Sequence, residues 1–193
     1  QQEGLSVINS DMVEKVEFSA GGFEAKYGDR MSSVLDITYA RPQKAEASVQ
    51  ASLLGANIYA GLGNRKISLS QGLRYKTNQY MLGSLETKGE YSPSFLDYQA
   101  YLSWTPSEKW TFDLIGYISK NDYNFKPKDR ETNFGTLEDV KSFKVYFDGK
   151  EEDLFRTLYG TFKITRKWER KHALSLSASA FNTKERETYD IQG

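Results

Sequence analysis

The chain has 193 residues, no cysteine, one histidine (His172), and 26 acidic against 26 basic side chains, for a formal net charge of zero. Disulfide staples, thiolate metal sites and cysteine nucleophiles are thereby excluded, and charge leaves no basic footprint for nucleic acid. With 13 Tyr and 11 Phe the chain is too aromatic for disorder, yet it is too polar for an ordinary globular core, and no apolar run approaches the ~20 residues of a spanning helix.

Residues 1 to 42 read as mixed α/β structure. Asn9 or Ser10 is placed to cap a helical turn through "DMVEKV", and "VEFSAG" reads as extended. "FEAKYG" suggests one more helical turn, stopped by Gly28, and "SSVLDITYA" a strand ended by Pro42. Gly21, Gly22 and Gly28 fit positions of positive φ or close backbone approach. Tyr27 is suited to fill space while its hydroxyl finds a polar partner.

From residue 45 the hydrophobic period becomes two. In "AEASVQASLLGANIYAGLG" the apolar set changes parity at Leu54-Gly55, which predicts a tight turn or bulge between strands at 45 to 54 and 56 to 63. Beyond it, Ile67, Leu69, Leu73 and Tyr75 alternate with Ser68, Ser70 and Arg74. Tyr98, Ala100, Leu102 and Trp104 alternate with Asp97, Gln99 and Ser103, and Trp110, Phe112, Leu114 and Ile118 with Thr111 and Asp113. Leu158, Phe162, Ile164 and Trp168 oppose Thr157, Thr161 and Lys163, and Leu174, Leu176 and Ala178 oppose Ser175 and Ser177. Seven strands are predicted, each with one apolar and one small-polar face.

Alternation alone fits a sandwich as well as a barrel. Strand length separates them: the runs at 66 to 80, 109 to 122 and 171 to 189 exceed the ~5 or 6 residues usual in soluble sheets. Connections also alternate. "GNRK", "TPSEKW" and "KWERKH" are tight, whereas 81 to 96 and 123 to 153 are long and charged, which is the pattern of an outer-membrane barrel. Trp104, Trp110 and Trp168 flank the tight connections and belong to the apolar sets, as an interfacial girdle requires.

The stretch "VEKVEFSAGGFEAKYGDRMSSVLDITYARP", residues 13 to 42, resembles the end of the plug domain of TonB-dependent outer-membrane receptors. Ala25, Tyr27 and Gly28 match an Ala-x-Tyr-Gly piece, and Val34 to Thr38 match the strand that leads into the barrel. Gly21, Gly22, Phe23, Arg30, Ser32 and Ser33 complete the motif, the Ser-Ser pair being a Bacteroidetes-type variant of Gly-Gly. Ala20-Gly21-Gly22 stands where many members have Arg-Gly-Pro, so a plug arginine often assigned to locking is missing there. The match to glycan-importing members is poor after Arg30, which argues against a glycan substrate.

The resemblance implies an all-β-dominated fold: the C-terminal part of a mixed α/β plug at 1 to 42, then about seven antiparallel strands of a ~22-stranded transmembrane barrel at 43 to 193. It implies energised uptake of a scarce solute and no cofactor. The implied partners are outer-membrane lipid, the solute, and TonB through a segment not in this chain, with room for a surface lipoprotein. The alternative is a non-transporting outer-membrane barrel, an adhesin or assembly component, or a soluble β-sandwich binding module.

Catalytic signatures are sparse. There is no G-x-S-x-G elbow and no phosphate loop, and "GLGNRK" lacks the third glycine of a dinucleotide fingerprint, so an enzyme is not expected. Glu151, Glu152 and Asp153 have the carboxylate density for a calcium ion, although a solvated external loop explains them more simply. His172 lies beside a tight turn and reads as an interfacial residue.

Overall fold

The computed structural model describes residues 8–22, 24, 27–28, 32–77, 89–127, 130–135, 140–145, 148–168 and 172–192. Strands β1 (Val13–Ala20) and β2 (Ser33–Tyr39) form an antiparallel pair. They are followed by β3 (Glu46–Ser52), β4 (Gly55–Gly63), β5 (Ile67–Thr77), β6 (Gly89–Ser107) and β7 (Trp110–Pro127). A small hairpin, β8 (Arg130–Gly135) and β9 (Val140–Val145), precedes β10 (Asp148–Trp168) and β11 (His172–Gln192). The main sheet has seven strands in the order β11-β10-β7-β6-β5-β4-β3, every neighbour antiparallel.

The helical turn expected through "DMVEKV" is shorter than the sequence suggests. Asn9 caps it, its side chain accepting from Asp11 N–H at 3.1 Å, but the turn is 3₁₀ and covers only Ser10–Met12. Val13 and Val16 are β-branched and find partners in Tyr39 and Ile37 across the ladder, which outweighs continuation of the turn. No α-helix occurs among the described residues. At the second expected turn, Tyr27 N–H donates to Glu24 O at 3.0 Å.

The parity switch at Leu54-Gly55 is a two-residue hairpin, Ser52 facing Gly55. Gly55 has φ 144°, and a Cβ there would overlap the Tyr75 carbonyl, so both conformation and space demand glycine. At the other end, Asn64 Oδ1 accepts from the N–H groups of Lys66 and Ile67 at 2.8 and 3.1 Å and closes the β4–β5 turn.

Two long connections are shorter than expected. β6 begins at Gly89, β7 continues to Pro127 and β10 starts at Asp148. These extensions lack a continuous apolar face, so period-two reading misses them. Cross-strand ring contacts hold them instead: Phe95 packs edge-to-face on Tyr123 at 5.3 Å, and Tyr123 on Phe155 at 5.7 Å.

Register sorts the sheet into rows. Val49, Ile58, Leu73, Tyr98, Ile118 and Leu158 are successive Cα partners, as are Leu62, Leu69, Leu102, Leu114, Phe162 and Ala178. That apolar face is open: Leu114 is 48% exposed, Phe162 43% and Leu176 72%. The opposite face is polar, and over β5 and β6 it is covered: Ser70 is 0% exposed, Gln99 2% and Ser103 3%. Polar side chains inside and large apolar ones outside invert the arrangement of a water-soluble sheet. Along β10 the apolar set runs from Leu158 to Trp168, about 33 Å of strand at ~3.3 Å per residue. Among the described residues no strand pairs with the outer edges of β3 and β11, and the sheet does not close.

Candidate functional site

The covered polar face is where the N-terminal segment meets the sheet, through residues 8 to 12 and 39 to 42. Met12 is fully buried and packs with Tyr59 and Tyr101, with Tyr39 and Ile115 at the margin. This is a very small apolar cluster, so hydrogen bonds supply most of the specificity of the contact.

Two polar clusters flank it. In the first, Asn9 Nδ2 donates to Asn57 Oδ1 at 3.0 Å, and the Asn9 backbone N–H to Gln99 Oε1 at 3.4 Å. Asp11 Oδ2 accepts from Asn57 Nδ2 at 2.8 Å and from the Ser48 hydroxyl at 2.9 Å, and Gln50 Nε2 reaches the same carboxylate at 3.3 Å. Arg74 bridges segment and wall: Nη1 donates to Ile8 O at 3.1 Å, while Nε pairs with Asp97 Oδ2 at 2.9 Å. The Arg74 and Asp97 side chains are only 8% and 6% exposed. Removing either partner would strand a buried charge at about 3–5 kcal/mol.

The second cluster centres on Arg41, just after β2. Its Nε donates to the Tyr101 hydroxyl and its Nη2 to Asp113 Oδ1, both at 3.0 Å, and Tyr101 itself donates to Asp113 Oδ1 at 2.8 Å. Burial alone would lower the Arg41 pKa, but the bond to Tyr101 and the charges of Tyr101, Asp113 and Glu14 leave it raised. Tyr39, also at this edge, has its hydroxyl pKa raised by burial and secondarily by Tyr159.

Three sheet glycines make room for the segment. A Cβ at Gly72 would overlap Asn9 Nδ2 and stand 3.0 Å from Met12 Sδ. At Gly63 it would overlap the Pro42 carbonyl, and at Gly61 it would meet Pro42 Cγ at 3.0 Å. Beneath the cover, the hydroxyls of Ser68, Ser70 and Ser103 and Asp97 Oδ1 are buried without a hydrogen-bond partner among the described residues.

On the apolar face near the tight turns, the structure brings the three tryptophans into one belt. Trp104 stacks with Phe112 at 5.2 Å and Trp110 with Phe112 at 6.1 Å. Arg166 lies over both Trp110 and Trp168, 5.1 and 4.6 Å from the ring centroids. His172 faces Trp168 across the β10–β11 pair.

The Gly-rich motif lies partly outside the described residues. Phe23, Ala25 and Arg30 lie outside the described residues. Gly21 has φ 79°, but Gly22 and Gly28 have no positive φ, and a Cβ on either would meet nothing within 4 Å among the described residues. Among the described residues, close approach to glycine is seen instead at Gly61, Gly63 and Gly72 on the sheet. Tyr27 donates its hydroxyl to Asp36 of β2, and Ser32 O accepts from Gly21 N–H at 3.3 Å beside Ser33, the first residue of β2. The suggested carboxylate triad is split by strand alternation: Glu151 and Asp153 share one face and Glu152 takes the other. No group of three or more potential ligands converges among the described residues.

Sequence reading passed over Asp11, Met12, Asn57 and Tyr101, and placed Gln99 and Asp113 on the polar faces of their strands without a partner. Asn57 and Gln99 carried a signal, since large amides on the small-polar face of a strand need a partner. Asp11 and Met12 carried none, because the nearest side-chain partner of Asp11 on the sheet, Ser48, is 37 positions away and the buried neighbours of Met12 there, Tyr59 and Tyr101, are further still. Comparison with protein-family models, curated proteins and solved structures finds no match.

Proposed function

We propose that residues 43 to 193 are wall strands of an outer-membrane barrel and residues 1 to 42 the end of its plug, in a TonB-dependent receptor that imports a scarce solute. The observation that carries the reading is the inverted sheet, with its apolar face open and its polar face covered by the chain's own N-terminal segment. A soluble sandwich would bury Leu114, Phe162 and Leu176 between layers. The belt of Trp104, Trp110 and Trp168 supports an interface on the tight-turn side, and the apolar length of β10, at the ~40° tilt of a barrel strand, gives a height of ~25 Å that matches a bilayer core. The unpaired edges of β3 and β11 support further wall strands, since long open edges invite uncontrolled pairing.

In this reading the polar contact through Asn9, Asp11 and Arg41 gates the path. Such a contact is strong when aligned yet can be broken stepwise with water replacing each bond, as a pull from the periplasmic TonB protein requires. The test compares solute profiles of intact cells. Cells lacking the receptor and cells lacking TonB should lose uptake of the same solute. Identical profiles with and without the receptor would leave a non-transporting barrel.

A further inference from the structure

At the end of the apolar face away from the tight turns, the outward row changes character across the sheet. Tyr75 and Leu96 are register partners there, both more than 40% exposed. The same row continues through Lys120, Arg156 and Lys184, on the adjacent strands β7, β10 and β11. All three basic side chains are exposed, and all share the face of Ile118 and Leu158 one step below. In the next row, Asp122, Leu154 and Arg186 face the same way. The two rows thus hold four cations, Lys120, Arg156, Lys184 and Arg186, against the single anion Asp122, which bonds Lys120 at 2.8 Å. Higher up, charge is balanced again, as in the Lys150–Glu152 pair at 2.7 Å.

Like charges directly opposite on neighbouring strands repel, and three in succession are a liability unless an anion sits among them. Neither Arg156 nor Lys184 has an ion-pair partner among the described residues. We infer that this row binds the phosphate-bearing headgroups of anionic lipid in the leaflet on the long-connection side. The inference rests on the membrane-wall reading, and two features select a lipid over a free anion. The row is continuous with the apolar face that would hold the acyl chains. It is also exposed, so three bases spaced across three strands offer no enclosure for a small ion but match a layer of headgroups. The opposite end carries a different device, Arg166 packed between Trp110 and Trp168, so its charge is engaged with rings. Each basic residue near an anionic surface contributes on the order of fivefold to association.

The test uses the full-length protein reconstituted in phosphatidylcholine vesicles, with trace spin-labelled phosphatidylglycerol or spin-labelled phosphatidylcholine, reading the motionally restricted fraction of each. Wild type should prefer the anionic probe by at least about threefold. The preference should fall as salt rises and should not be competed by millimolar inorganic phosphate. The triple variant Lys120→Gln, Arg156→Gln, Lys184→Gln should lose it while still restricting phosphatidylcholine, and Arg156→Lys alone should keep most of it. Equal selectivity in wild type and triple variant, or a salt-independent preference in wild type, would overturn the inference. Competition by free phosphate would overturn the lipid assignment. Absence of any restricted lipid in wild type would instead refute the membrane wall itself.

Discussion

Replacing Gly72 with alanine is expected to loosen the N-terminal segment while sparing the sheet. Gly72 lies in the middle of β5 with ordinary extended geometry, so alanine costs the strand nothing and slightly favours it. The added methyl would occupy the position of Asn9 Nδ2 and press on Met12 Sδ. Asn9 must then leave Asn57 Oδ1, a bond of 3.0 Å, and move its own capping contact with Asp11 N–H. A lost hydrogen bond costs about 1 kcal/mol, and forcing a methyl into a filled site about 1–3 kcal/mol. Together they come to about 3 kcal/mol, a factor on the order of 100 in the ratio of seated to unseated segment. Amide hydrogen exchange reads that factor directly. The N–H groups of Asn9, which crosses to Gln99 Oε1 on the sheet at 3.4 Å, and of Met12, buried against Tyr59 and Tyr101, should exchange about 100-fold faster, with the ladder amides of β6 and β7 unchanged. Gly116→Ala is the control, because a Cβ there meets nothing within 4 Å among the described residues. If Gly72→Ala leaves both amides as protected as in Gly116→Ala, the segment is not held at this position and the site is wrongly located.

Alkaline pH should unseat the β2 edge. The folded pKa of Tyr39 is raised, so its stabilising contribution is complete below the usual tyrosine value of about 10 and is lost as pH climbs through the higher folded value. Tyr39→Phe should shift the alkaline midpoint of segment release upward in a proteolysis titration, and an unchanged midpoint would exclude Tyr39 as a contributor. Arg41→Gln should cost only about 0.5–1 kcal/mol, since its side chain is 45% exposed and Tyr101 continues to satisfy Asp113. Arg41 should stay charged from about pH 6 to pH 9 because its pKa is raised, so the effect in a thermal melt should be flat over that range. Spin labels at Leu69, Leu102, Leu114, Phe162 and Leu176 should report lipid-soluble quencher, and those at Lys163 and Ser177, on the uncovered part of the polar face, water-soluble quencher. Loss of the alternation in two or more strands would remove the barrel from consideration.

Sequence by itself determined the strands and their faces, because side-chain direction in a strand is a local property with period two. The seven-strand meander, the turn at Leu54-Gly55 and the apolar sets holding the three tryptophans were all legible for that reason. The strand extensions at 89 to 96, 123 to 127 and 148 to 153 were not, since rings contacting across strands hold them rather than an apolar stripe. Whether Gly22 and Gly28 need their freedom was not legible either, because glycine marks freedom locally, and only a neighbour's position shows whether that freedom is needed. Tertiary structure alone decided which polar residues meet. Asn9 to Asn57, Asp11 to Ser48 and Arg41 to Asp113 span 37 to 72 positions, and no periodicity relates their ends. It also decided which face of the sheet is covered. Alternation is symmetric between inside and outside, and the symmetry is broken only when Met12 and its polar neighbours settle on the face that carries Gln99, Tyr101 and Gly72.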